Sequence, residues 1–360
     1  MSRNVSVINK IRGKEGKKDM KGKKENIEEN KMGTMPVSKL VISMSFPMMI
    51  SMTVQALYNV VDSIFVSRLS EHALTAVSMA FPIQNLMIAV VAGLAVGINS
   101  LLSRSLGEGN QEKVNSCADH GLFLVSIGYL IFLCTGLFFV HGFMVKQTNI
   151  PTIVQGGTMY LRICCICSFG LMGQMTFERL LQSTGRTIYT MITQGMGALI
   201  NIILDLWFVA GLNMGVPGVA LATVIAQMIS AVLCFLKLRK MKHLFDLKAC
   251  YLKPHRENIA TVVRLGVPSG ITQAIFSLAM VVVQSLTNSF GEMVIAANVI
   301  IMRVDGFAMM PNFSFGTAMT TYSGQNVGAK KLERVKTGAK QGTLIAVGTS
   351  AAITAVILLF

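Results

Sequence analysis

Apolar runs of about 20 residues recur along most of this chain, and each is long enough to cross a bilayer. In lipid, only helices or closed barrels satisfy every backbone polar group. Barrel strands would alternate apolar and polar residues with a period of two, and these runs do not. An all-α polytopic membrane protein is the fold class that remains. Composition agrees: 52% of the 360 residues are hydrophobic and only 14% are charged, against about 25% charged in a soluble protein.

The runs predict nine transmembrane helices, at 39–66, 74–102, 119–141, 153–177, 187–211, 217–237, 259–289, 293–321 and 341–360. Around them the chain divides into four parts. Residues 1–35 make a Lys- and Gly-rich tail with too little apolar content to fold. Residues 36–240 form a six-helix lobe, 241–258 a basic cytoplasmic connection, and 259–360 part of a second lobe.

The net charge of +15 reports orientation. Of the 32 Lys and Arg residues, eleven lie in 1–39, eight between Lys237 and Arg264, and five between Lys330 and Lys340. These clusters fall at alternate ends of the spans, the positive-inside pattern, so the N-terminus is expected in the cytoplasm. No nucleic-acid partner follows from the charge. Among the seven cysteines, Cys164, Cys165 and Cys167 crowd one run without the spacing of a zinc site, and they read as small packing residues. No H-E-x-x-H or G-x-S-x-G motif is present, and no enzyme activity is expected.

Sliding the sequence on itself by 221 positions brings Pro47 onto Pro268, Glu71 onto Glu292, Gly107 onto Gly328, Glu112 onto Glu333 and Gly121 onto Gly342. The matches fall at kinks and turns, where geometry restricts residue choice. Six spans separate the copies, so two parallel six-helix repeats are expected, with a substrate site between the halves. With six helices per repeat, a full second copy would end roughly 100 residues beyond Phe360. The second repeat is therefore expected to be incomplete and the chain truncated.

Asp62 interrupts the first apolar run about six residues before Arg68. A charge at that depth costs at least a few kcal/mol unless it faces protein, water or a bound cation. Alone it reads equally well as a helix-end carboxylate hydrated from the surface. Measured from the outer ends of their spans, Asp62, Tyr160, Asp205 and Thr223 all lie roughly 9–10 Å deep. Asn201 is one turn from Asp205 on the same helix face. Two carboxylates, an amide and a hydroxyl at one level suit a hard cation such as Na⁺, or a proton shared between repelling acids. The bland alternative is that each group separately caps or bonds a neighbouring helix. The second copy does not repeat this chemistry, because Asp62 aligns with Val283. Its one acid well inside the spans, Asp305, either faces a central cavity and attracts cations or bonds a neighbour.

Several motifs carry a resemblance. The runs N-V-V-D-S-I-F-V-S-R-L, A-L-T-A-V-S-M-A-F-P and S-R-S-L-G-E-G occur in order, followed by N-I-I-L-D at 201–205, R-V-D-G-F-A-M-M-P at 303–311 and G-Q-N-V-G-A at 324–329. Over about residues 36–360 the chain resembles the MATE family of multidrug and toxin extrusion transporters, most closely the bacterial branch with an ion site in the N-terminal lobe. That resemblance implies twelve helices in two lobes. It implies export of cationic amphipathic compounds against inward Na⁺ or H⁺ flow. Asp62, Asn201, Asp205 and Thr223 match the branch's ion-site positions, Tyr160 matches a nearby helix-4 residue, and Gln55 is a weaker match in helix 1. Two features depart from the family. The acid that another branch carries on helix 7 is absent, since the region after Pro268 reads S-G-I-T-Q-A-I-F, and the last three helices are missing.

The expected function is a cation-coupled antiporter of small cationic molecules, monomeric in the lipid of a bacterial inner membrane. No cofactor is expected beyond Na⁺ or H⁺, and the same oxygens serve either ion. One alternative is a non-transporting fragment of such a transporter. Another is a lipid-linked sugar flippase of related architecture, which would favour basic cavity residues where only Arg162 and Arg303 lie within spans. The 25 methionines suit a cavity that re-packs around varied ligands, or else serve as lipid-facing packing.

Overall fold

The computed structural model describes residues 31–241 and 256–359. The basic tail to residue 30 and most of the basic connection lie outside the described residues. Nine long helical elements follow a short helix in order among those described, with no strand. They are α1 (Val37–Leu69), α2 (Glu71–Glu108) and α3 (Gln111–Cys134, continued by a π-helical turn at Thr135–Phe139 and by Val140–Gln147). The fourth is bent by 44° between α4a (Pro151–Ile166) and α4b (Phe169–Ser183). Then come α5 (Thr187–Asp205, continued by a π-helical turn at Leu206–Gly211) and α6 (Val216–Lys240). The remaining elements are α7 (Arg256–Asn288), α8 (Glu292–Gly328) and α9 (Leu332–Leu359).

Seven helices are long and apolar enough to cross a membrane, and up to eight when the bent pair counts as one span. Their ends follow local chemistry. The Ser70 side chain accepts from the Ala73 N–H at 3.0 Å to start α2, and Asn110 accepts from the Lys113 N–H at 3.1 Å to start α3. Gly109 closes α2 in the left-handed conformation.

The 221-residue repeat is built into the geometry. Helices α2 and α8 begin at the equivalent positions Glu71 and Glu292, and α3 and α9 at Gln111 and Leu332. The turns between them share a left-handed residue at one repeat position, Gly109 at φ 69° and Lys330 at φ 59°. Where α2 crosses α8, Gly324 meets its own equivalent, Ser103: a Cβ added to the glycine would lie 2.8 Å from the serine Cβ. One turn further, a Cβ on Gly107 would collide with the Gln325 carbonyl, and one on Gly328 with the Arg104 carbonyl. Gly107 and Gly328 are repeat equivalents, as are Arg104 and Gln325. The contact is therefore reciprocal, and an approximate two-fold axis passes through the Ser103–Gly324 crossing. The same symmetry exchanges the first helices of the repeats, so that α7 packs on α2 and α1 packs on α8.

The first repeat holds two apolar cores. One gathers Ile98, Leu102, Met172, Leu180 and Leu181 between α2, α4b and their neighbours; the other gathers Ala80, Met144, Leu161 and Val219. A third joins the start of α1 to α8 through Val41, Met44, Phe315 and Tyr322. In the apolar windows of α7 and α9 only 11% and 6% of the residues are buried, against 28–56% in the other five full spans. Those two helices present most of their apolar surface outward.

One boundary differs from the expectation of an unfolded tail to residue 35. Lys31–Thr34 is a short helix, and Met32 is buried against the α8 end. Its backbone has partners that a composition argument does not see. Arg334 donates to the carbonyls of Met32 (3.2 Å) and Met35 (2.7 Å), and Asn326 donates to Met32 at 3.2 Å.

Candidate functional site

Helices α1, α5 and α6 converge on one polar cluster. Gly197 lets α5 and α6 approach closely, because a Cβ there would collide with Ser230 Oγ. One turn further along α5, Asn201 reaches both neighbouring helices. With its amide oriented to satisfy both sides, Asn201 donates to Asp62 Oδ1 at 2.8 Å and accepts from the Thr223 N–H at 3.3 Å. The opposite orientation would leave its nitrogen 3.4 Å from Thr223 Oγ1 and its oxygen facing a carboxylate. Acceptor against acceptor is unfavourable, so the first orientation is the physical one.

Asp205 is fully buried, and neither of its oxygens has a hydrogen-bond donor among the described residues. The half-buried carboxylate of Asp62 is its electrostatic neighbour, and the Thr223 hydroxyl, which donates to the Val219 carbonyl at 3.0 Å, belongs to the same cluster. Two neighbouring buried carboxylates repel, and a proton or a cation shared by them relieves that repulsion. Asp205 is also the last residue of α5 before the π-helical turn, a wider turn of the kind found at functional positions in helices. No group of three or more His, Cys, Asp or Glu gathers among the described residues. The set is two carboxylates with one neutral hydroxyl, that of Thr223, which fits a monovalent hard cation or a proton better than a transition metal.

A cavity of about 270 Å³ adjoins this cluster, between helices of the first repeat and α8 of the second. Asn201 and Thr223 line it, with Gln55 and Tyr58 from α1 and Phe313, Ser314 and Thr317 from α8. Tyr160 is buried beside it, accepting from Gln84 Nε2 at 3.2 Å. Asp305 is exposed on α8 and is not part of this lining. The structure thus brings Asp62, Asn201, Asp205 and Thr223 together, seats Gln55 on the same cavity and leaves Asp305 apart from it.

Two charged residues on the cavity wall are absent from the sequence expectation. Glu178 and Arg179 lie on α4b, just past the residue where hydropathy ends the fourth span. Glu178 accepts from Gln174 Nε2 (3.0 Å) and Gln194 Nε2 (2.9 Å). Arg179 donates to Gln182 Oε1 at 2.9 Å and reaches Thr317 Oγ1 at 3.5 Å.

Two parallel helical repeats around a pseudo-two-fold crossing, with a polar cavity between the first repeat and α8, define a polytopic helical membrane protein of the two-repeat class. The MatE family model matches residues 47–207 and 268–360, and the chain belongs to that family. The two matched segments begin at Pro47 and Pro268, the first equivalent pair of the repeat. Among curated relatives, the probable multidrug resistance protein YoeA of Bacillus subtilis is 26% identical over 298 residues, covering 81% of this chain and 64% of that protein. The probable multidrug resistance protein NorM of Thermotoga maritima is 24% identical, covering 90% and 70%. This chain therefore spans about two thirds of the length of these relatives. Among solved structures, a MOP superfamily transporter from Pyrococcus furiosus superimposes with a TM-score of 0.86 at 28% identity, covering 93% of this chain and 75% of that one. A MATE transporter in complex with MaL6 gives 0.88 at 27% identity, with the same coverage.

Proposed function

We propose that this chain serves an exporter of small cationic amphipathic molecules, driven by inward movement of Na⁺ or H⁺ across a bacterial cell membrane, with its N-terminus in the cytoplasm. The observation that carries the reading is the Asp62–Asp205 pair, with Asp62 bonded by Asn201, next to a cavity that Asn201 and Thr223 line. The relatives named as multidrug resistance proteins support the substrate class. The chain's alternating basic segments support the orientation.

In this mechanism the carboxylate pair binds Na⁺ through its oxygens, or one proton between them. Either removes a repulsion that would otherwise hold α1 and α5 apart. An ion moves a helix only through a difference in its affinity for two arrangements. Asp62 belongs to α1, which also packs on α8 of the second repeat, so closing the pair is communicated across the repeats. Release of a cationic substrate follows from the same change, because a shift of α1 moves Gln55 and Tyr58, which it contributes to the cavity wall.

The test is dye efflux from proteoliposomes under an imposed Na⁺ or pH gradient. Asp205→Asn should abolish gradient-driven efflux while dye binding stays within about threefold, since an amide keeps the shape and removes the charge. Efflux at the wild-type rate by Asp205→Asn would refute the coupling role.

A further inference from the structure

The cavity carries a second polar feature, two turns of α5 away from Asn201. Gln194 and Asn201 are seven residues apart on that helix, or about 10 Å along its axis. At the Gln194 level, Glu178 is only 5% exposed yet faces the cavity. Its hydrogen-bond donors are the neutral amides of Gln174 and Gln194, and no Lys or Arg forms a salt bridge with it among the described residues. Arg179, its neighbour in sequence, lines the same cavity but spends its hydrogen bonds on Gln182 and Thr317 and acts on Glu178 only through space.

A purely structural tie between α4b and α5 would satisfy both partners. This one does not. Because Gln194 must turn its nitrogen toward the carboxylate, its carbonyl oxygen points elsewhere, and that oxygen is buried without a donor. The site thus has a surplus of acceptors: a carboxylate with spare lone pairs and an orphaned amide carbonyl. Buried acceptors are costly to leave unmatched. What matches them is a group with several N–H donors and a positive charge.

We propose that Glu178, Gln174 and Gln194 form a subsite for a protonated N–H group, an ammonium or guanidinium, of the molecule that occupies the cavity. The subsite selects N–H-bearing cations over quaternary ones, which carry charge but donate nothing. It rests on the reading that this cavity carries small cations, and it names the class among them.

The test uses a matched pair of dansyl probes, one ending in a primary ammonium and the other in a trimethylammonium group. Binding is measured by fluorescence with the full 360-residue chain in nanodiscs and no ion gradient. The wild type should bind the primary ammonium at least about tenfold tighter, the scale of one charge-assisted hydrogen bond. Glu178→Gln should bring the two probes within about threefold, mainly by weakening the ammonium probe. Gln194→Met, which removes the orphaned carbonyl and keeps the carboxylate, should reduce the preference severalfold. It decides the matter if Glu178→Gln proves aggregated by gel filtration. Equal affinities in the wild type, or a preference undiminished by these substitutions, would overturn the subsite. If neither probe binds, the cavity reading falls with it. Loss of efflux coupling in Asp205→Asn is a separate result that leaves the binding preference to be read independently.

Discussion

Asn201 on α5 donates its amide to Asp62 on α1 and accepts from the backbone of Thr223 on α6, so one side chain ties three helices. Asn201→Leu removes both bonds, and Asn201→Asp replaces the donor with a third negative charge. Each should cost about 1–3 kcal/mol of stability, the penalty of leaving a buried group unmatched. Each should also abolish any stabilisation by Na⁺ or by lowered pH. Thermal unfolding in detergent with and without Na⁺, and across pH, checks both. A wild-type ion-dependent shift in either variant would remove Asn201 from the site.

The carboxylates should act as one unit. Asp62→Asn still presents an oxygen to the Asn201 amide, so insertion and drug binding should survive while gradient-driven efflux is lost. Asp62→Asn combined with Asp205→Asn should then be no worse than either alone, as for groups that share one task. Additive losses in proteoliposome efflux would mean that the two acids serve different steps.

The approach of α5 to α6 gives a stability prediction with a built-in rescue. A Cβ at Gly197 collides with Ser230 Oγ, and rotating that hydroxyl away forfeits its 3.2 Å bond to the Thr193 carbonyl. Gly197→Ala should therefore lower stability by about 1–2 kcal/mol. Ser230→Ala in the same chain should recover much of this, because the next nearest atom, Ser230 Cβ, is 3.4 Å away. The comparison of unfolding midpoints for the two singles and the double is the measurement. Absence of rescue would place the strain elsewhere.

Orientation can be read chemically. Asn110 and Gln147 are both exposed. With the N-terminus inside, a lone cysteine at 147 in a Cys-free background should react with an impermeant maleimide on intact cells, and one at 110 only after the membrane is opened. The reverse pattern would invert the topology.

Much of this architecture was legible because it is set by periodic or sharply restricted residues. Prolines, turn glycines and the equivalent helix starts at Glu71 and Glu292 hold the repeat, and helical spacing alone puts Asn201 one turn from Asp205. Glu178 was not legible. Charge beside charge at 178–179 looks like the polar edge of a span, and hydropathy has no access to the amides that surround it. Gln194 is 16 residues away, on a helix whose approach depends on the bend after Ile166. The π-helical turns after Cys134 and Asp205 leave no residue signature either, since each is one extra residue absorbed in an otherwise apolar helix. The ordered stretch at 31–34 was missed for the opposite reason: its partners, Asn326 and Arg334, are almost 300 residues downstream.

Helix α1 also touches the second repeat through sulfur. Thr53 Oγ1 meets Met310 Sδ at 3.6 Å, and Ser314 Oγ meets Met52 Sδ at 3.5 Å. Thioethers are weak, polarizable acceptors on flexible stems, so these contacts grip without latching. From Met52 to Asp62 is ten residues of helix, about 15 Å. On the proposed mechanism α1 would act as a push-rod with a charged head and a compliant bearing, passing a displacement at the carboxylate to α8 through contacts that yield without breaking. Stiffening that bearing, as by Met310→Ile, would slow the machine without touching either the ion or the cargo.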